Sequence, residues 1–308
     1  MPLSHHSTSQ DSILVVIVLY KRAPSESQSF CSLIQILGAN HDLAQNFSLI
    51  LYDNSPQQQD FEEAVNFPFL YKHDPTNAGL PAAYNFALAQ AQEKHHQWLL
   101  LLDQDTTPTC NFLRELLAST ITLSAQQDVA SIVPKLLVDG KIFSPAAHFI
   151  DQVRHQYRRS NHAVSRDLVG VQQGRLVAYN SGAALRVSAL SSIGGFPEEF
   201  WLDYLDHAVF HALSVRRYRM YVMRTEIEHE SSQATLSSVP VWRQRNLLLA
   251  QTSFAKQAGN FFDRLLYRIW LLRYSRILWI RHPDRRLWKE AALHSLLLKT
   301  RMDKAPKS

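Results

Sequence analysis

One short apolar run that ends in two carboxylates constrains the fold of this chain most. The stretch WLLLLDQDTTP at 98–108 passes directly from five apolar residues to Asp103 and Asp105. An apolar run of this length is typical of a strand buried on both faces of a parallel sheet. Ligands of open α/β sheets bind beyond the carboxyl ends of the strands. The sequence therefore predicts both carboxylates at a ligand-binding edge, where they suit Mg²⁺ or Mn²⁺, although such a pattern also opens ordinary loops and helix caps.

The surrounding chain alternates apolar strands with helical segments. Strands are predicted at 13–20, 47–52, 69–72, 98–102 and 129–134, and helices at 25–37, 82–93 and 110–125. This alternation indicates an α/β fold with a doubly wound, mostly parallel sheet.

Beyond residue 134 the pattern is less regular. Short strands are expected near 141–143, 176–179 and 219–223, and helices over 183–192 and 201–214. The basic stretch 154–166 is predicted to be a mobile loop. Helices are expected from Pro240 almost to Lys299, with breaks near Gly259 and Pro283.

Composition and charge narrow the class of protein. The chain has 308 residues, of which 46% are hydrophobic and 19% charged, as in globular proteins with a sizeable core. Its two cysteines form no disulfide framework or metal-binding spacing, which indicates a reducing compartment. Residues 1–12 are polar and are expected to be disordered, without the apolar core of a signal peptide. No apolar run approaches the roughly 20 residues that span a bilayer, so we expect a cytoplasmic protein.

The C-terminal stretch is basic and aromatic. From Phe261 to Ser308 there are twelve Lys and Arg residues against four Asp and Glu residues, and Trp270, Tyr274 and Trp279 lie among them. The arginines do not form one helical stripe. Two interpretations stay open: a helical cap whose arginines reach water, or a surface that rests on anionic lipid at the inner face of the cytoplasmic membrane. We prefer the second, and we expect no nucleic-acid partner because the stretch has no recognised fold for one.

Polar residues follow several predicted strands and are expected to line one crevice. They are Tyr20, Asp53, Asn77, Asp103 and Asp105. This layout suits a nucleotide, with a carboxylate for the base or ribose and a metal for the diphosphate. No Gly-x-Gly-x-x-Gly motif follows the first strand, which argues against the dinucleotide fold of dehydrogenases.

Seven stretches together resemble the inverting family 2 glycosyltransferases of the GT-A fold, and in particular their bacterial rhamnosyltransferase branch. In order they are VVIVLYKR at 15–22, LILYDNSP at 49–56, NAGLPAAYNFALAQA at 77–91, LLLLDQDTTP at 99–108, YNSGAALRVSALSSIGGFPEEFWLDYLDHA at 179–208, HES at 229–231 and WRQRN at 242–246. The resemblance covers about residues 13–250. It implies a GT-A catalytic domain over 13–258, with a nucleotide-binding part at about 13–134 and an acceptor part at about 135–258, followed by a helical extension over 259–308.

The resemblance implies contacts on the nucleotide side. Asp53 would bind the uracil or thymine ring, and backbone groups of Leu19 and Tyr20 would contact the same nucleoside. Asn77 and Gly79 would lie against the nucleotide, since glycine lets the backbone approach closely.

It also implies a metal site and a contact with the leaving group. Asp103 would face the ribose or the metal, and Asp105 would hold the metal that bridges the diphosphate. His229 matches a further metal or diphosphate contact, and Arg245 and Asn246 match a pair near the leaving group.

On the acceptor side, Asp206 of the motif Asp203-Tyr204-Leu205-Asp206 would be the catalytic base. Acceptor contacts would come from Asp203, Trp201, Ser181 and Gly182. The following residues, HAVFHA at 207–212, lack the basic residue usual in the family, which leaves the local acceptor contacts open.

These residue types suit a single displacement with inversion. A carboxylate takes the proton of the attacking hydroxyl, and a metal and cationic groups stabilise the leaving diphosphate. We expect transfer of rhamnose from dTDP-rhamnose to a saccharide or lipid-linked saccharide in cell-surface polysaccharide or lipopolysaccharide synthesis. The alternatives are a UDP-hexose transferase, a non-catalytic sugar-nucleotide or glycan-binding protein, and a nucleotidyltransferase.

Overall fold

A mixed sheet of nine strands, counted among the described residues, positions the candidate site. The computed structural model describes residues 12–60, 65–148, 150–151, 163–173, 175–229, 240–281 and 286–297. The strands are β1 Ile13–Leu19, β2 Phe47–Asp53, β3 Phe69–His73, β4 Trp98–Asp103, β5 Val129–Val138, β6 Lys141–Ser144, β7 Ala146–Ala147, β8 Gly170–Gln172, β9 Leu176–Val177, β10 Ala184–Arg186 and β11 Arg219–Glu228.

The order of the strands brings the predicted strand ends together. The sheet runs β3-β2-β1-β4-β10-β5-β11-β8, with β6 paired to β5, while β7 and β9 form a separate pair. Strands β1 to β4 are mutually parallel, and Leu19 pairs with Asp53 while Val18 pairs with Asp103. Because neighbouring strands lie about 4.8 Å apart, the ends of β2, β1 and β4 form one continuous edge.

Helices cover both faces of the sheet. They are α1 Gln28–Ala39, α2 His41–Ala44, α3 Leu80–Glu93, α4 Cys110–Thr122, α5 Val187–Ile193, α6 Leu205–Val215, α7 Val241–Ala258, α8 Phe261–Arg281 and α9 Arg286–Leu297, with a short 3-10 helix at Pro24–Glu26. The hydroxyl oxygens of Ser27 and Thr109 accept hydrogen bonds from backbone N–H groups in the first turns of α1 and α4. These caps satisfy donors that a helix leaves unpaired at its start.

Alternate residues of β1 pack into two hydrophobic cores, one on each face of the sheet. Leu14 and Val16 pack with α3 on one face, and Val15 and Ile17 pack with α1 and α4 on the other. Burial of each such side chain contributes roughly 1.5–3 kcal/mol. The face that holds α3 also holds the C-terminal helices, whose buried residues are Tyr267, Leu271, Leu278, Leu287 and Ala291.

The structure corrects one predicted element. Residues 183–192 were expected to be one helix, but Ala184–Arg186 form β10, which lies antiparallel between β4 and β5, and the helix begins only at Val187. The Arg186 guanidinium donates to the carbonyls of Val129 and Leu123 at 2.9 and 3.0 Å and stacks on Trp98. These long-range partners hold the short, Ala-containing segment in the sheet.

Several boundaries also differ from the prediction. The helix expected over 201–214 begins at Leu205, and the strands β5 and β11 extend beyond their predicted ends to Val138 and Glu228. The break near Gly259 is confirmed. The break near Pro283, the N-terminal residues before 12 and most of the stretch 154–166 lie outside the described residues. None of the described helices is long and apolar enough to cross a membrane.

Candidate active site

Asp53 lies at the carboxyl end of β2 and is fully buried. Its carboxylate accepts hydrogen bonds from the backbone N–H groups of Ser55 and Gln59 at 2.9 and 3.0 Å, and from the Tyr71 hydroxyl at 2.6 Å. Burial, followed by this hydrogen bond, raises the pKa of Tyr71. Asp53 therefore fixes the loop that follows β2, and its contact with a nucleobase stays a prediction.

Hydrogen bonds of the Leu19 and Tyr20 backbone join the ends of strands β1, β2 and β4. The Leu19 carbonyl accepts from the Asn54 N–H at 2.9 Å, and the Tyr20 N–H donates to the Gln104 side-chain oxygen at 2.9 Å. Sequence reasoning missed Asn54, whose Oδ1 is buried with no hydrogen-bond partner among the described residues. An unpaired buried acceptor is costly, so this edge offers a place for a donor group of a ligand.

Asp103, Asp105 and His229 form the cluster that the sequence predicts. One ligand atom of each lies within 4.8 Å of the others. The Asp105 Oδ1 atom is buried and has no hydrogen-bond partner among the described residues. Two carboxylates and one imidazole can hold a divalent cation such as Mg²⁺ or Mn²⁺, and the unpaired Oδ1 fits a cation ligand.

Local hydrogen bonds hold this cluster in place. Thr106, in the turn after β4, pairs with His229 in an isolated antiparallel bridge. The Ser29 hydroxyl donates to the Thr106 carbonyl at 2.6 Å, and the His229 N–H donates to the Leu137 carbonyl at 3.0 Å. The two acids and the histidine thus sit on backbone that is held by residues of two other elements, α1 and β5.

Charges of several nearby side chains affect the pKa of Asp103. Burial raises its pKa, a hydrogen bond from the Ser181 hydroxyl opposes that shift, and the charges of Asp105 and Asp206 raise it further while His229 lowers it. Ser181, predicted as an acceptor contact, is 1% exposed and uses its hydroxyl on Asp103. A bound cation would relieve the repulsion between these acids.

Asp206 begins α6 on the opposite side. It is 6% exposed, and its Oδ1 atom accepts from the His207 N–H at 2.7 Å. Burial raises the pKa of Asp206 to about 6, against the opposing effect of that hydrogen bond. Tyr204 precedes the helix in the left-handed region, with φ 66°, and its hydroxyl accepts from Gln251 on α7 at 2.8 Å.

Asp203 shares this environment. Burial raises its pKa to about 6, Arg243 lowers it and Asp206 raises it. Its Oδ2 atom is buried with no hydrogen-bond partner in the described part of the chain. Arg243, which sequence reasoning did not select, is therefore a cation close enough to affect the pKa of Asp203.

The phenol of Tyr84 links the two groups of acids. Tyr84 lies on α3, is fully buried, and its hydroxyl has no hydrogen-bond partner among the described residues. Burial raises its pKa well above the usual value, and the charges of Asp103 and Asp206 add to the shift. The phenol of Tyr84 therefore lies near enough to the strand-end acid and to the helix acid for both charges to affect its pKa. In the sequence, the position of Tyr84 in a predicted Ala-rich helix was the one feature that distinguished it.

Asn77 and Gly79 contact the acceptor-side loop directly. The Trp201 indole N–H donates to the Asn77 carbonyl at 3.0 Å, and the Leu80 N–H donates to the Trp201 carbonyl at 3.0 Å. The indole N–H of Trp201 is therefore already used by the chain, and contact of this residue with an acceptor stays a prediction. Gly182, also predicted on the acceptor side, has φ +81° and lies so close to Pro134 that an added Cβ would be 2.9 Å from it.

Arg245 pairs with an acid of the C-terminal helices, and its contact with the leaving group stays a prediction. Its Nε atom donates to both carboxylate oxygens of Glu290 on α9, at 2.7 and 2.8 Å. A contact of Arg245 with a leaving diphosphate would require this ion pair to open. The structure favours Arg243 as the cation nearer the acids, since it lowers the pKa of Asp203.

Comparison with known proteins identifies the family of this chain. The model of glycosyl transferase family 2 matches residues 14–193, which is more than half of the chain. The chain belongs to this family. It is a family 2 glycosyltransferase of the GT-A fold, and no curated protein sequence matches it. The rhamnosyltransferase branch stays a prediction.

Similar solved structures support the fold of this glycosyltransferase. Residues 1–349 of S. aureus TarS superpose with a TM-score of 0.52 at 13% identity, over 92% of this chain and 79% of that one. The same protein in complex with UDP-GlcNAc gives 0.53 at 12% identity, again over 92% and 79%. GalNAc-T7 with UDP, GalNAc and Mn²⁺ gives 0.58 at 13% identity, over 92% of this chain and 54% of that one. At such identities the likeness shows the fold alone.

Proposed function

We propose that this glycosyltransferase moves a sugar from a nucleoside diphosphate to a hydroxyl of a saccharide, with inversion, and that Asp206 is its base. The observation that carries the proposal is electrostatic: the charge of Asp206 acts both on Asp103 and on Tyr84. These charge effects support the proposal that a strand-end acid suited to a metal and a helix acid suited to a base serve one site.

The protonation of Asp206 suits this role. With a pKa of about 6, Asp206 is largely ionised at pH 7 and still accepts a proton readily. Asp203, with the same raised pKa and an unpaired buried oxygen, would orient the acceptor hydroxyl beside it. One base on the face opposite the leaving group implies inversion, whereas retaining glycosidases use two flanking carboxyls.

Asp103, Asp105 and His229 would hold the divalent cation against the donor. When bound, Mg²⁺ or Mn²⁺ neutralises charge that develops on the leaving diphosphate. Ser181 keeps the Asp103 carboxylate oriented, and Ser29 keeps the turn at Thr106 in place. The unpaired Oδ1 atom of Asp105 is the feature that most directly supports metal binding by this chain.

The donor is proposed to be a dTDP- or UDP-sugar, and specifically dTDP-rhamnose. Asp53, the backbone of Leu19 and Tyr20, and the loop of Asn77 and Gly79 would bind the nucleotide. The resemblance of the motifs to the rhamnosyltransferase branch supports rhamnose as the transferred sugar. A UDP-hexose is the second candidate, because solved relatives with this fold carry UDP, UDP-GlcNAc or GalNAc.

The acceptor is proposed to be a saccharide or lipid-linked saccharide of the cell surface, reached at the inner face of the cytoplasmic membrane. The outward face of α8 supports this location. It exposes large apolar side chains, namely Phe261, Phe262, Leu265, Leu272, Ile277, Trp279 and Ile280. Exposed arginines interleave with them at 264, 268, 273 and 276, and the one carboxylate of this helix, Asp263, is buried.

Such a face suits anionic lipid. Aromatic residues enter the interface while arginines meet lipid phosphates. At the start of the helix, a cavity of about 420 Å³ is lined by Lys256, Phe261, Arg264, Leu265 and Arg268. Cations around an apolar floor suit a phosphate that carries a hydrocarbon chain. The opposite face of α8 packs on the core. A helical cap and the proposed lipid surface are therefore compatible on one helix.

A screen of purified protein against dTDP- and UDP-sugars, with and without Mn²⁺, tests the proposal. Thermal stabilisation by one nucleotide class that requires Mn²⁺, together with release of the matching nucleoside diphosphate, is the expected result. Binding without any turnover on an acceptor panel would favour the non-catalytic sugar-nucleotide-binding alternative. A new nucleotide as product would favour a nucleotidyltransferase.

A further inference from the structure

Two loops from opposite halves of the site are joined through Trp201. The donor loop, residues 74–79, precedes α3, and the base loop, residues 197–204, precedes the helix that carries Asp206. The Trp201 indole N–H donates to the Asn77 carbonyl at 3.0 Å, and the Trp201 carbonyl accepts from the Leu80 N–H at 3.0 Å. The two loops are thus bonded in both directions through one residue.

The backbone of the donor loop is shaped to receive the indole. Gly79 has φ +93°, and a Cβ added there would lie 2.4 Å from the Trp201 Cδ1 atom and 2.5 Å from its carbonyl oxygen. Asn77 also has a positive φ, of 46°. A side chain at residue 79 would therefore separate the loops, which only glycine allows to approach so closely.

A second clamp lies next to the first. The Asn85 side chain on α3 donates to the Phe196 carbonyl at 2.8 Å and accepts from the Phe196 N–H at 2.8 Å. This pair fixes the start of the segment that leads into the base loop. Trp201 then lies in the chain between a fixed point at Phe196 and the acids at 203 and 206, so its bonds to residues 77 and 80 connect the donor loop to the segment that carries those acids.

We propose that Trp201 is a positioning residue that couples occupancy of the donor loop to the placement of Asp203 and Asp206. Nucleotide bound against Asn77 and Gly79 restricts the donor loop, and the indole hydrogen bond carries this restriction to the base loop. The base loop is then more restricted when a donor is present, which limits attack by stray water. The inference rests on the proposed function for its nucleotide site. By linkage, the base loop restricts the donor loop to the same degree.

The indole N–H is the group to test, because Trp201→Phe removes it and keeps an aromatic ring against Gly79. Trp288→Phe is the matched control, since Trp288 is half-buried on α9 and belongs neither to the proposed site nor to the outward face of α8. Both variants are first checked by thermal melting. Hydrogen exchange of each protein is then measured by mass spectrometry alone, with UDP and Mn²⁺, and with dTDP and Mn²⁺.

In the wild-type protein and in Trp288→Phe, the bound nucleotide should slow exchange both at 74–80 and at 200–206. In Trp201→Phe, the slowing at 74–80 should persist while that at 200–206 falls by about tenfold, as expected when coupling of about 1–3 kcal/mol is lost. In turnover, kcat should fall about tenfold with less than about a threefold change in donor KM.

Equal slowing of 200–206 in Trp201→Phe and in the wild-type protein would overturn the coupling while leaving the proposed function intact. Absence of slowing at 74–80 in the wild-type protein with either nucleotide would contradict the proposed nucleotide site, and with it this inference.

Discussion

The charge of Asp206, in the first turn of α6, acts on the buried carboxylate of Asp103 at the end of the central strand β4. Burial is the main reason that the pKa of Asp103 is raised, and the charges of Asp105 and Asp206 raise it further. Mutual repulsion in a buried site has a cost that bound groups must offset. In this enzyme we propose that a cation offsets it on one side and a transferred proton on the other.

The metal site makes the first prediction. Asp105→Asn keeps the shape of the side chain but removes the charge of its unpaired Oδ1 atom. Replacing a residue that only supports a metal ligand weakens metal binding about 10–100-fold. We therefore expect the loss of a ligand itself to weaken Mn²⁺ affinity by about 100-fold or more. Titration calorimetry with UDP present measures it. Asp139→Asn, at an exposed turn, is the control and should bind as the wild-type protein does; equal affinity in both variants would remove Asp105 from the site.

The raised pKa of Asp206 predicts how stability depends on pH. Its pKa rises from 3.8 to about 6 on folding, so the folded state holds the proton more tightly. This contribution is fully present below about pH 4 and is lost as the pH rises through about 6. Asp206→Asn should therefore raise the free energy of unfolding by about 1–3 kcal/mol at pH 8 and change it little at pH 4. Urea unfolding at both pH values checks this, and an equal effect at the two would contradict it.

The ion pair of Arg245 with Glu290 makes a prediction about the C-terminal helices. The pair joins α7 to α9, and both side chains are partly exposed. We expect Arg245→Gln and Glu290→Gln each to lower the unfolding free energy by about 0.5–1 kcal/mol, with little further loss in the double variant. Turnover should change little in all three. A loss of turnover of about 100-fold in Arg245→Gln alone would restore its predicted contact with the leaving group.

The outward face of α8 predicts binding to anionic lipid. Wild-type protein should sediment with phosphatidylcholine vesicles that contain about one third phosphatidylglycerol and should not sediment with phosphatidylcholine alone. Loss of two arginines in Arg264→Gln with Arg268→Gln should weaken binding about 30-fold, at roughly 1 kcal/mol each. Arg216→Gln, an exposed arginine after α6, is the matched control. Binding that is indifferent to the anionic lipid would contradict the proposed surface.

Local pattern was enough to predict the elements that supply most of the site. The apolar runs of β1, β2 and β4 have little alternative to a buried parallel strand, so the acids that follow them are placed at one edge. In contrast, β10 has only three residues, and its place in the sheet depends on Arg186 reaching carbonyls far away in the chain. Propensity favours a helix there, and tertiary contacts override it.

Sequence analysis missed some site residues for the same reason, because their roles depend on contacts between distant segments. Tyr84 belongs to the site because its helix packs over two acids from different segments. The contacts of Trp201 with Gly79 and of Arg245 with Glu290 join residues far apart in sequence, and neither residue type indicates its partner. A sequence motif can name a residue, but the group it contacts depends on the packing of whole elements.

The most direct test of the account compares turnover of Asp206→Asn and Asp203→Asn with the wild-type enzyme, on the sugar nucleotide that the donor screen selects. We expect Asp206→Asn to keep donor affinity within about threefold and to lose about 10²–10⁴-fold in kcat, as removal of a general base does. Asp203→Asn should lose less, and wild-type kcat should fall as the pH drops below about 6, where Asp206 takes up its proton. Wild-type turnover in Asp206→Asn would contradict the proposal that this carboxylate is the base.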